Sequence, residues 1–410
     1  MTTFKNRQFY QFCAYGFLKN LRFFDPFLLL FFLSRGFDYF DIGMLYAIRE
    51  TGFIITEIPS GIFADTFGRK KTLIISYIAY LLSFLGFYFA HSFALAATAM
   101  LVFSFGESFR SGTHKALIFT YLKHKEWDSL KTDYYGNTRA CSQLGSALSA
   151  TLAAFIVILN ANIETIFLFS TIPYLFGLIN LSLYPAYLDN INRDESFSKL
   201  WKKALQLSLE SLKAFKQKQM VLATFNLSFY SAYYKSVKDY FQVLILSFSA
   251  GIVFLPNFNT NQQNAIFIGI AYTLLFLLSS VASKKSQKFL SFFTSDKRAL
   301  NYSIIVGVLV GGFAGLFLYF DLKLIAVLLF FGIYIIENLR KPIGISRVIN
   351  YSNEKINATI LSIGSQIQAA ITALLALFIG FIADLYSVSL ALILSALLLL
   401  LLSPLYWLKK

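Results

Sequence analysis

The sequence has 410 residues, of which 57% are hydrophobic and 14% are charged, and its formal net charge is +15. Soluble globular domains carry about a quarter charged residues, so this composition and the mean hydropathy of +0.62 exclude the ordinary soluble classes and indicate a polytopic membrane protein. At roughly 20 apolar residues per helical span, the chain has room for about a dozen spans. A basic excess in so apolar a chain predicts loop charge that orients the protein, so we expect no nucleic-acid partner.

Apolar runs bounded by charged or turn residues predict twelve transmembrane helices. A backbone in lipid must satisfy its own hydrogen bonds, and these runs are longer than a membrane β-strand, so all of them should be helical. The first run is too long for a signal-peptide core, and we interpret it as a retained span. The predicted spans are residues 8–34, 41–63, 71–90, 93–121, 134–159, 163–187, 220–250, 265–282, 299–320, 322–349, 357–383 and 386–407.

The connecting segments alternate in charge. One side of the membrane collects the basic residues Lys5, Arg7, Arg69, Lys70, Lys71, Lys123, Lys125, Lys131, Lys284, Lys285, Lys288, Lys297, Arg298, Lys409 and Lys410. The other side has few basic residues and several acidic ones, among them Asp38, Asp321 and Asp384. By the positive-inside rule, both termini are cytoplasmic and the protein is a multi-pass protein of the cell (inner) membrane.

Two similar halves follow from internal repeats. Lys19 and Arg22 in span one stand three residues apart, as Lys235 and Lys238 do in span seven, and a Glu-x-x-Arg pattern occurs at Glu107 and again at Glu337. We therefore predict two pseudo-symmetric six-helix bundles, residues 1–188 and 220–410. Lysines interleaved with leucines in residues 189–219 predict a cytoplasmic linker that contains an amphipathic helix.

A sequence between spans two and three, Gly61-Ile-Phe-Ala-Asp65-Thr-Phe-Gly68-Arg69-Lys70-Lys71, resembles the G-x-x-x-D-x-x-G-R-K signature of the major facilitator superfamily. The resemblance implies a twelve-helix fold, a monomer, and a loop that latches the cytoplasmic side. The gating residues so implied are Gly61, Asp65, Gly68, Arg69 and Lys70. Span five has Gly145 but lacks the G-P-x-x-G-G pattern of antiporters in that family.

Ionisable residues near the middle of spans are the candidate functional residues. Each charge exposed to lipid costs about 2.5–3.5 kcal/mol on insertion scales, so these groups should line a polar cleft or pair with one another. The basic candidates for substrate binding are Lys19, Arg22, Arg49, Arg110, Lys235, Lys238 and Arg340. The acidic candidates for proton coupling are Glu107, Asp25, Glu50, Asp239 and Glu337. For any one residue, a role in holding helices together remains open.

The basic surplus favours a substrate with a carboxylate, a phosphate or another anionic group, since arginine binds such groups with two parallel hydrogen bonds. We therefore predict a secondary transporter that moves a small anionic or zwitterionic organic solute by alternating access, coupled to H+. A proton-driven exporter of drugs or other amphiphiles is the alternative. A membrane enzyme is disfavoured, because the sequence has no phosphate-binding glycine loop, metal-ligand cluster or nucleophile arrangement, so we expect no cofactor and no metal.

Overall fold

The computed structural model describes residues 5–127, 130–160, 162–189, 198–199, 201–202, 206, 217–252, 259–351 and 357–409, with backbone alone at 131–133, 160, 357 and 358. Throughout these residues the regular secondary structure is helical. Most of the predicted linker, 189–219, lies outside them. The helices are α1 (Arg7–Lys19), α2 (Leu28–Ser34), α3 (Tyr39–Phe67), α4 (Arg69–Tyr88), α5 (Phe93–Arg110), α6 (Thr113–His124), α7 (Lys131–Asn160), α8 (Thr165–Ser182), α9 (Lys218–Val237), α10 (Phe241–Ser249), α11 (Thr260–Lys284), α12 (Ser286–Leu290), α13 (Asp296–Tyr319), α14 (Lys323–Ile349), α15 (Asn357–Leu385), α16 (Val388–Leu401) and α17 (Ser403–Tyr406).

Six segments in the described part of the chain are long and apolar enough to cross a membrane, judged by length and composition. They are Arg69–Tyr88, Tyr134–Leu159, Thr165–Ser182, Thr260–Lys284, Asp296–Tyr319 and Thr359–Leu385. Two shorter apolar helical segments, Asp25–Ser34 and Val388–Leu401, accompany them. Many large apolar side chains on these helices are exposed, as expected for surfaces that face lipid rather than water.

Contacts divide the chain into two compact units. Unit 1 is Met1–Pro26 with Gly52–Ala204, and unit 2 is Phe27–Thr51 with Leu205–Lys410. The residues of α3 up to Thr51 therefore belong to unit 2, and those from Gly52 onward belong to unit 1. Residues 27–51, which the sequence interpretation groups with the N-terminal bundle, pack with unit 2.

Unit 1 is built by packing α4 against α5 and α8, and α1 against α7 and α8. Small residues allow the close approaches. A Cβ added at Gly145 of α7 would run into the backbone of Phe17 in α1, and Ser76 of α4 donates a 2.7 Å hydrogen bond to the carbonyl of Gly106 in α5. The helices that carry the charged residues are therefore held at short distances from one another.

In unit 2, α13 packs against α14 and α16, and α9 packs against α14 and α15. Tyr230 and Tyr233 of α9 fill the space beside Gly307 and Gly311 of α13, where a Cβ would collide with the tyrosine hydroxyls. Both tyrosine side chains are fully buried. The packing of these two tyrosines on the two glycines thus fixes the distance between α13 and α9, the helix that carries Lys235.

Four of the predicted continuous spans are interrupted, and the sequence interpretation is wrong on this point. One of them, 386–407, breaks at Leu402 between α16 and α17. Residues 8–34 break after α1, which ends at Lys19; residues 20–24 are not helical, and Pro26, which cannot donate a backbone hydrogen bond, lies in the 3-10 turn before α2. Residues 93–121 break between α5 and α6, where Gly112 has φ +70°. Residues 220–250 break at the 3-10 turn Lys238–Tyr240, where the Tyr334 hydroxyl donates to the carbonyl of Lys238 at 2.9 Å.

Candidate functional site

A charged network in unit 1 joins the end of α1 to α5. Arg22 forms an ion pair with Glu107, and Arg110 donates to the other oxygen of the same carboxylate at 2.8 Å. The Glu107–Arg110 pair is the one that their three-residue spacing on a helix predicts. Two arginines share one glutamate, so the network keeps a net positive charge while all three side chains are 16–22% exposed.

Two tyrosines complete this network. The Tyr80 hydroxyl of α4 donates to Glu107 at 2.6 Å and accepts from Arg110 Nε at 2.9 Å. The Tyr174 hydroxyl of α8 accepts from Arg22 Nε at 2.9 Å and donates to the carbonyl of Lys19 at 2.9 Å. Each guanidinium is therefore held in a fixed orientation by partners from several helices.

A cavity of about 400 Å³ lies beside this network, between α1, α7 and the break that separates α5 from α6. We call it the basic cavity. It is lined by the basic side chains Lys19, Arg110, His114, Lys115 and Arg139. Its uncharged polar lining consists of Asn20, Thr138, Ser142, Gln143 and Ser146, and among the described residues that line it there is no carboxylate.

Three of the cations in the basic cavity have no described carboxylate within ion-pair distance, namely Lys19, Lys115 and Arg139. Lys115 instead lies 5.4 Å from the ring centroid of Tyr135, which is a cation-π contact. Only Arg110 is paired, through Glu107. Basic side chains therefore outnumber acidic ones in the described lining of the cavity.

An aromatic wall closes one side of the basic cavity. The imidazole of His114 stacks on the ring of Tyr15 with centroids 3.6 Å apart and planes 9° apart, and its Nε2 lies 3.2 Å from the Tyr184 hydroxyl. The Tyr15 hydroxyl is buried without a hydrogen-bond partner among the described residues. His114 thus packs within unit 1 and lines the cavity at the same time.

A second charged cluster lies in unit 2. The Glu50 carboxylate of α3 is 1% exposed and accepts from Arg49 Nε at 3.0 Å and from Lys235 Nζ at 2.6 Å. Arg49 also lies over the ring of Tyr46, 4.9 Å from its centroid. Two cations around one buried carboxylate repeat the charge ratio of the unit 1 network with different residues.

The neighbouring acid in unit 2 is Asp239, in the 3-10 turn between α9 and α10. Lys238 Nζ lies 2.9 Å from Asp239 Oδ1, and Asp239 Oδ2 is buried without a hydrogen-bond partner in the described structure. A free carboxylate oxygen away from water is costly, because nothing replaces the hydrogen bonds that water would supply. Such an oxygen is suited to accept a hydrogen bond from another molecule.

Arg340 of α14 is completely buried in unit 2. Its Nη2 donates to the Asn226 side chain at 2.7 Å and to the Asn226 carbonyl at 2.9 Å, and its guanidinium lies 4.8 Å from the Tyr230 ring centroid. Glu337, three residues earlier, accepts from Ser231 at 2.7 Å and lies 3.4 Å from Lys341. The same spacing as Glu107 and Arg110 therefore produces different partners in the second repeat.

The glycine-rich signature forms the turn between α3 and α4 at one end of unit 1. Gly68 has φ +103°, and a Cβ there would collide with the carboxylate of Asp189, which accepts from Lys70 N at 2.8 Å. Arg69 lies 3.9 Å from Asp65 and donates to the Thr120 hydroxyl at 2.7 Å. A Cβ at Gly61 would meet open space. The signature residues thus tie α4 to α6 and to the segment after α8.

The predicted site residues fall into separate groups. Lys19, Arg22, Glu107 and Arg110 come together in unit 1, with Asp25 in the short 3-10 turn that follows. Arg49, Glu50, Lys235, Lys238 and Asp239 lie in unit 2 near the α9–α10 break, while Glu337 and Arg340 are buried on α14.

Sequence reasoning missed the α7 side of the basic cavity. The residues concerned are Tyr135, Thr138, Arg139, Ser142, Gln143 and Ser146. They recur at intervals of three or four along one face of an otherwise apolar helix, and a polar stripe of that period was the available signal. Within the described residues no group of three His, Cys, Asp or Glu side chains could hold a metal ion.

Comparison with known sequences points to one family. The family model described as Major Facilitator Superfamily matches residues 9–338 of the chain. A segment of 90 residues is 33% identical to the uncharacterized MFS-type transporter YxaM of Bacillus subtilis (strain 168). That segment is 22% of this chain and 23% of YxaM, so the chain matches less than a quarter of this relative's length.

Solved transporter structures share the fold over nearly the whole chain. A mutant of the nucleoside transporter NupG has a TM-score of 0.77 at 15% identity and covers 97% of this chain and 98% of its own. A POT family transporter in complex with 5-aminolevulinic acid has a TM-score of 0.70 at 13% identity, with coverage of 98% and 97%. At these identities the likeness establishes a common fold and leaves the substrate to be argued from the site.

Proposed function

The chain belongs to the major facilitator superfamily and is a membrane transporter rather than an enzyme, and from that premise we propose that it moves a small anionic or zwitterionic organic solute by alternating access. The observation that carries the proposal is the basic cavity, which is lined by four lysine and arginine side chains and by no described carboxylate. A lipophilic cation would be repelled there, whereas an anion would gain charge-assisted hydrogen bonds.

The geometry of Arg110 supports a direct role in binding. Glu107 and Tyr80 hold one Nη and the Nε of its guanidinium, so the planar group is oriented before a substrate arrives. An oriented arginine loses less side-chain entropy on binding and can form two parallel hydrogen bonds to a carboxylate or phosphate. Lys19, which lines the same cavity, adds a second positive charge.

The proposal extends to the second unit. Arg49, Lys235 and Lys238 are proposed substrate contacts there, and the fully buried Arg340 would act only where its contact with Asn226 opens. The turn that contains Gly61, Asp65, Gly68, Arg69 and Lys70 is proposed to latch the cytoplasmic side, in an inner-membrane monomer with both termini in the cytoplasm. Coupling to H+ is proposed to use one or more of Asp25, Glu50, Glu107, Asp239 and Glu337.

Transport assays test this proposal directly. Purified protein in proteoliposomes should bind and take up members of a probe panel that contains monocarboxylates, dicarboxylates, amino acids and organic phosphates. Arg110→Gln should weaken binding of the responding anion by about tenfold or more, since a charged hydrogen bond contributes about 1.5–3 kcal/mol. Lys285→Gln, at an exposed lysine outside the cavity, is the matched control and should bind normally.

The same assay separates the alternative function. Tetraphenylphosphonium and other lipophilic cations belong in the panel because a proton-driven exporter of amphiphiles would recognise them. If only such cations are transported and Arg110→Gln transports them normally, the anion proposal is wrong and the exporter takes its place.

A further inference from the structure

The basic cavity contains more positive charge than a single carboxylate would neutralise. The single negative charge of Glu107 balances the charge of only one of the two arginines that it contacts. Lys19, Lys115 and Arg139 have no described carboxylate within ion-pair distance. Lys115 and Arg139 are exposed, and Lys19 is half-buried. A ligand with one negative charge leaves most of this potential uncompensated, whereas a doubly charged group compensates more of it.

The N-terminus of α6 adds to the positive electrostatic field in the basic cavity. The break at Gly112 starts a new helix, α6, which runs for 12 residues from Thr113, and Gly112, His114 and Lys115 line the cavity. The first turn of a helix has backbone N–H groups without intrahelical partners and the positive end of the helix dipole, an arrangement that binds phosphate in many proteins. In α6 the Thr113 N–H already donates to the carbonyl of Ser111 at 2.8 Å, which leaves the N–H groups of His114 and Lys115. The buried Tyr15 hydroxyl, which has no described partner, also belongs to this lining.

Hydroxyl groups on α7 supply neutral donors. Ser142 donates to the carbonyl of Thr138 at 3.5 Å and Ser146 to the carbonyl of Ser142 at 3.4 Å, both long for an O–H donor. These hydroxyls can rotate toward a ligand at little cost, because the bonds they would give up are weak. A tetrahedral group with three terminal oxygens can accept from several such donors at once.

The lining also argues against a zwitterion. An ammonium group binds most strongly to a carboxylate, and no described lining residue has one; the side-chain acceptors there are the neutral amide and hydroxyl oxygens. The repulsion from Lys19 and Arg139 would act on that ammonium as well. In a zwitterion, the repulsion of the ammonium group would therefore offset the favourable binding of the carboxylate.

We propose that the basic cavity binds a tetrahedral dianion, so that the substrate class is an organic phosphate or phosphonate rather than a monocarboxylate or a zwitterion. This inference rests on the proposed function and narrows it. The phosphoryl group would lie among Lys19, Arg110, Arg139 and the first turn of α6, with the Ser142 hydroxyl as a neutral donor. The organic part would face the ring of Tyr15.

The test compares three probes that share a phenyl ring. At pH 7.5 phenyl phosphate carries close to two negative charges, phenyl sulfate has the same tetrahedral shape with one charge, and benzoate is a planar monoanion. Binding to the purified full-length protein is measured by calorimetry. We expect phenyl phosphate to bind about tenfold or more tightly than either monoanion, and inorganic phosphate to compete with it.

Variants locate the site. Arg139→Gln should reduce the preference for phenyl phosphate over phenyl sulfate at least about threefold, and Lys19→Gln should do the same, whereas Arg298→Gln should leave it unchanged. Arg139 is exposed on α7, so its loss does not endanger folding as a change at the half-buried Lys19 does. Arg298 is the control because it is exposed on α13 and is not one of the residues that line the cavity.

The outcomes distinguish a failure of the dianion inference from a failure of the proposed function. If phenyl sulfate or benzoate binds as tightly as phenyl phosphate, or if Arg139→Gln leaves the preference intact, the dianion inference is overturned and the anion transporter stands. If amino acids bind and none of the phenyl anions does, the dianion inference also fails. If no anion or zwitterion in either panel binds, the proposed function itself fails.

Discussion

The unit 1 network illustrates how one carboxylate can organise two cations. Glu107 accepts from Arg22 and Arg110, and Tyr80 donates to it as well. Hydrogen bonds from three side chains hold this carboxylate in place. In the proposed function, an anionic substrate would compete with Glu107 for one of its two arginines, which makes Glu107 a candidate for the proposed coupling to H+.

Glu107→Gln tests the proposed coupling role of this carboxylate. The glutamine keeps the size of the side chain and removes the charge, so exchange of substrate across the membrane should continue while accumulation driven by a pH gradient is lost. The measurement is counterflow against pH-driven uptake in the same proteoliposomes. Glu337→Gln is the comparison, because Glu337 belongs to the other unit and has one carboxylate oxygen without a described partner.

The two variants test the proposed coupling to H+ at these two of the five candidate carboxylates. Retained pH-driven accumulation in Glu107→Gln excludes Glu107 as the coupling group. Loss of accumulation in Glu337→Gln alone moves the coupling site to α14.

Residue spacing predicted some of these contacts and missed others. Glu107 and Arg110 pair as their spacing implies, whereas Glu337 and Arg340, with the same spacing, do not pair in the described structure. Asn226 and Ser231 of α9 provide competing partners there, and they come from a distant part of the chain. Helix periodicity identifies which side chains share a face, and tertiary packing decides which of them meet.

Helix interruptions are the main feature at the level of elements. Hydropathy is averaged over a window of many residues, so it does not detect the helix breaks after α1 and at Gly112. Pro26 and Gly112 are local signals of such breaks in the sequence. The consequence for the site is direct, since the break at Gly112 creates the helix N-terminus that lines the basic cavity.

A pair of glycine substitutions tests the role of this break. Cβ atoms added at Gly112 and Gly136 both meet open space, but Gly112 has φ +70° and Gly136 lies within α7. Gly112→Ala should lower the thermal unfolding temperature, with a cost of about 1–2 kcal/mol from backbone strain. Gly136→Ala should leave it unchanged or raise it, because alanine is the better helix former by about 0.5–1 kcal/mol.

Thermal unfolding of the two detergent-purified variants provides the comparison. Gly112→Asn should fall between Gly112→Ala and the original protein, because asparagine tolerates the left-handed region better than alanine. Equal unfolding temperatures for all the variants would show that the conformation at Gly112 is not required.

At the level of the whole molecule, the prediction of an all-α membrane protein with twelve transmembrane helices and the fold of the major facilitator superfamily is confirmed. Composition and the periodic return of charged loops sufficed for this, because a bilayer imposes the same length and hydrogen-bond requirements on every span. The α7 side of the site was harder to predict, since a serine or threonine on an apolar helix is ordinary unless its neighbours in space are known.

The orientation of the chain makes a further prediction. In a variant whose Cys13 and Cys141 are replaced by serine, Lys71→Cys and Lys285→Cys should resist a membrane-impermeant maleimide in intact cells and react in inside-out vesicles. Asp321→Cys should show the reverse pattern. All three positions are exposed in the structure, so labelling reports the side of the membrane rather than burial. Reaction of Lys71→Cys in intact cells would place the glycine-rich turn outside.

One feature of unit 2 has a consequence for biosynthesis. Asn226 donates to the carbonyl of Tyr406, and Asn301 donates to the carbonyl of Leu408 and accepts from its N–H, all at 3.0 Å. Both asparagines precede residues 406–408 in the chain by about a hundred residues or more, so these three hydrogen bonds can form only after α9 and α13 have been made. Asn226 has Arg340 and Asn301 as its other partners. We therefore expect residues 406–408 to complete the hydrogen bonding of the two buried amides late in synthesis.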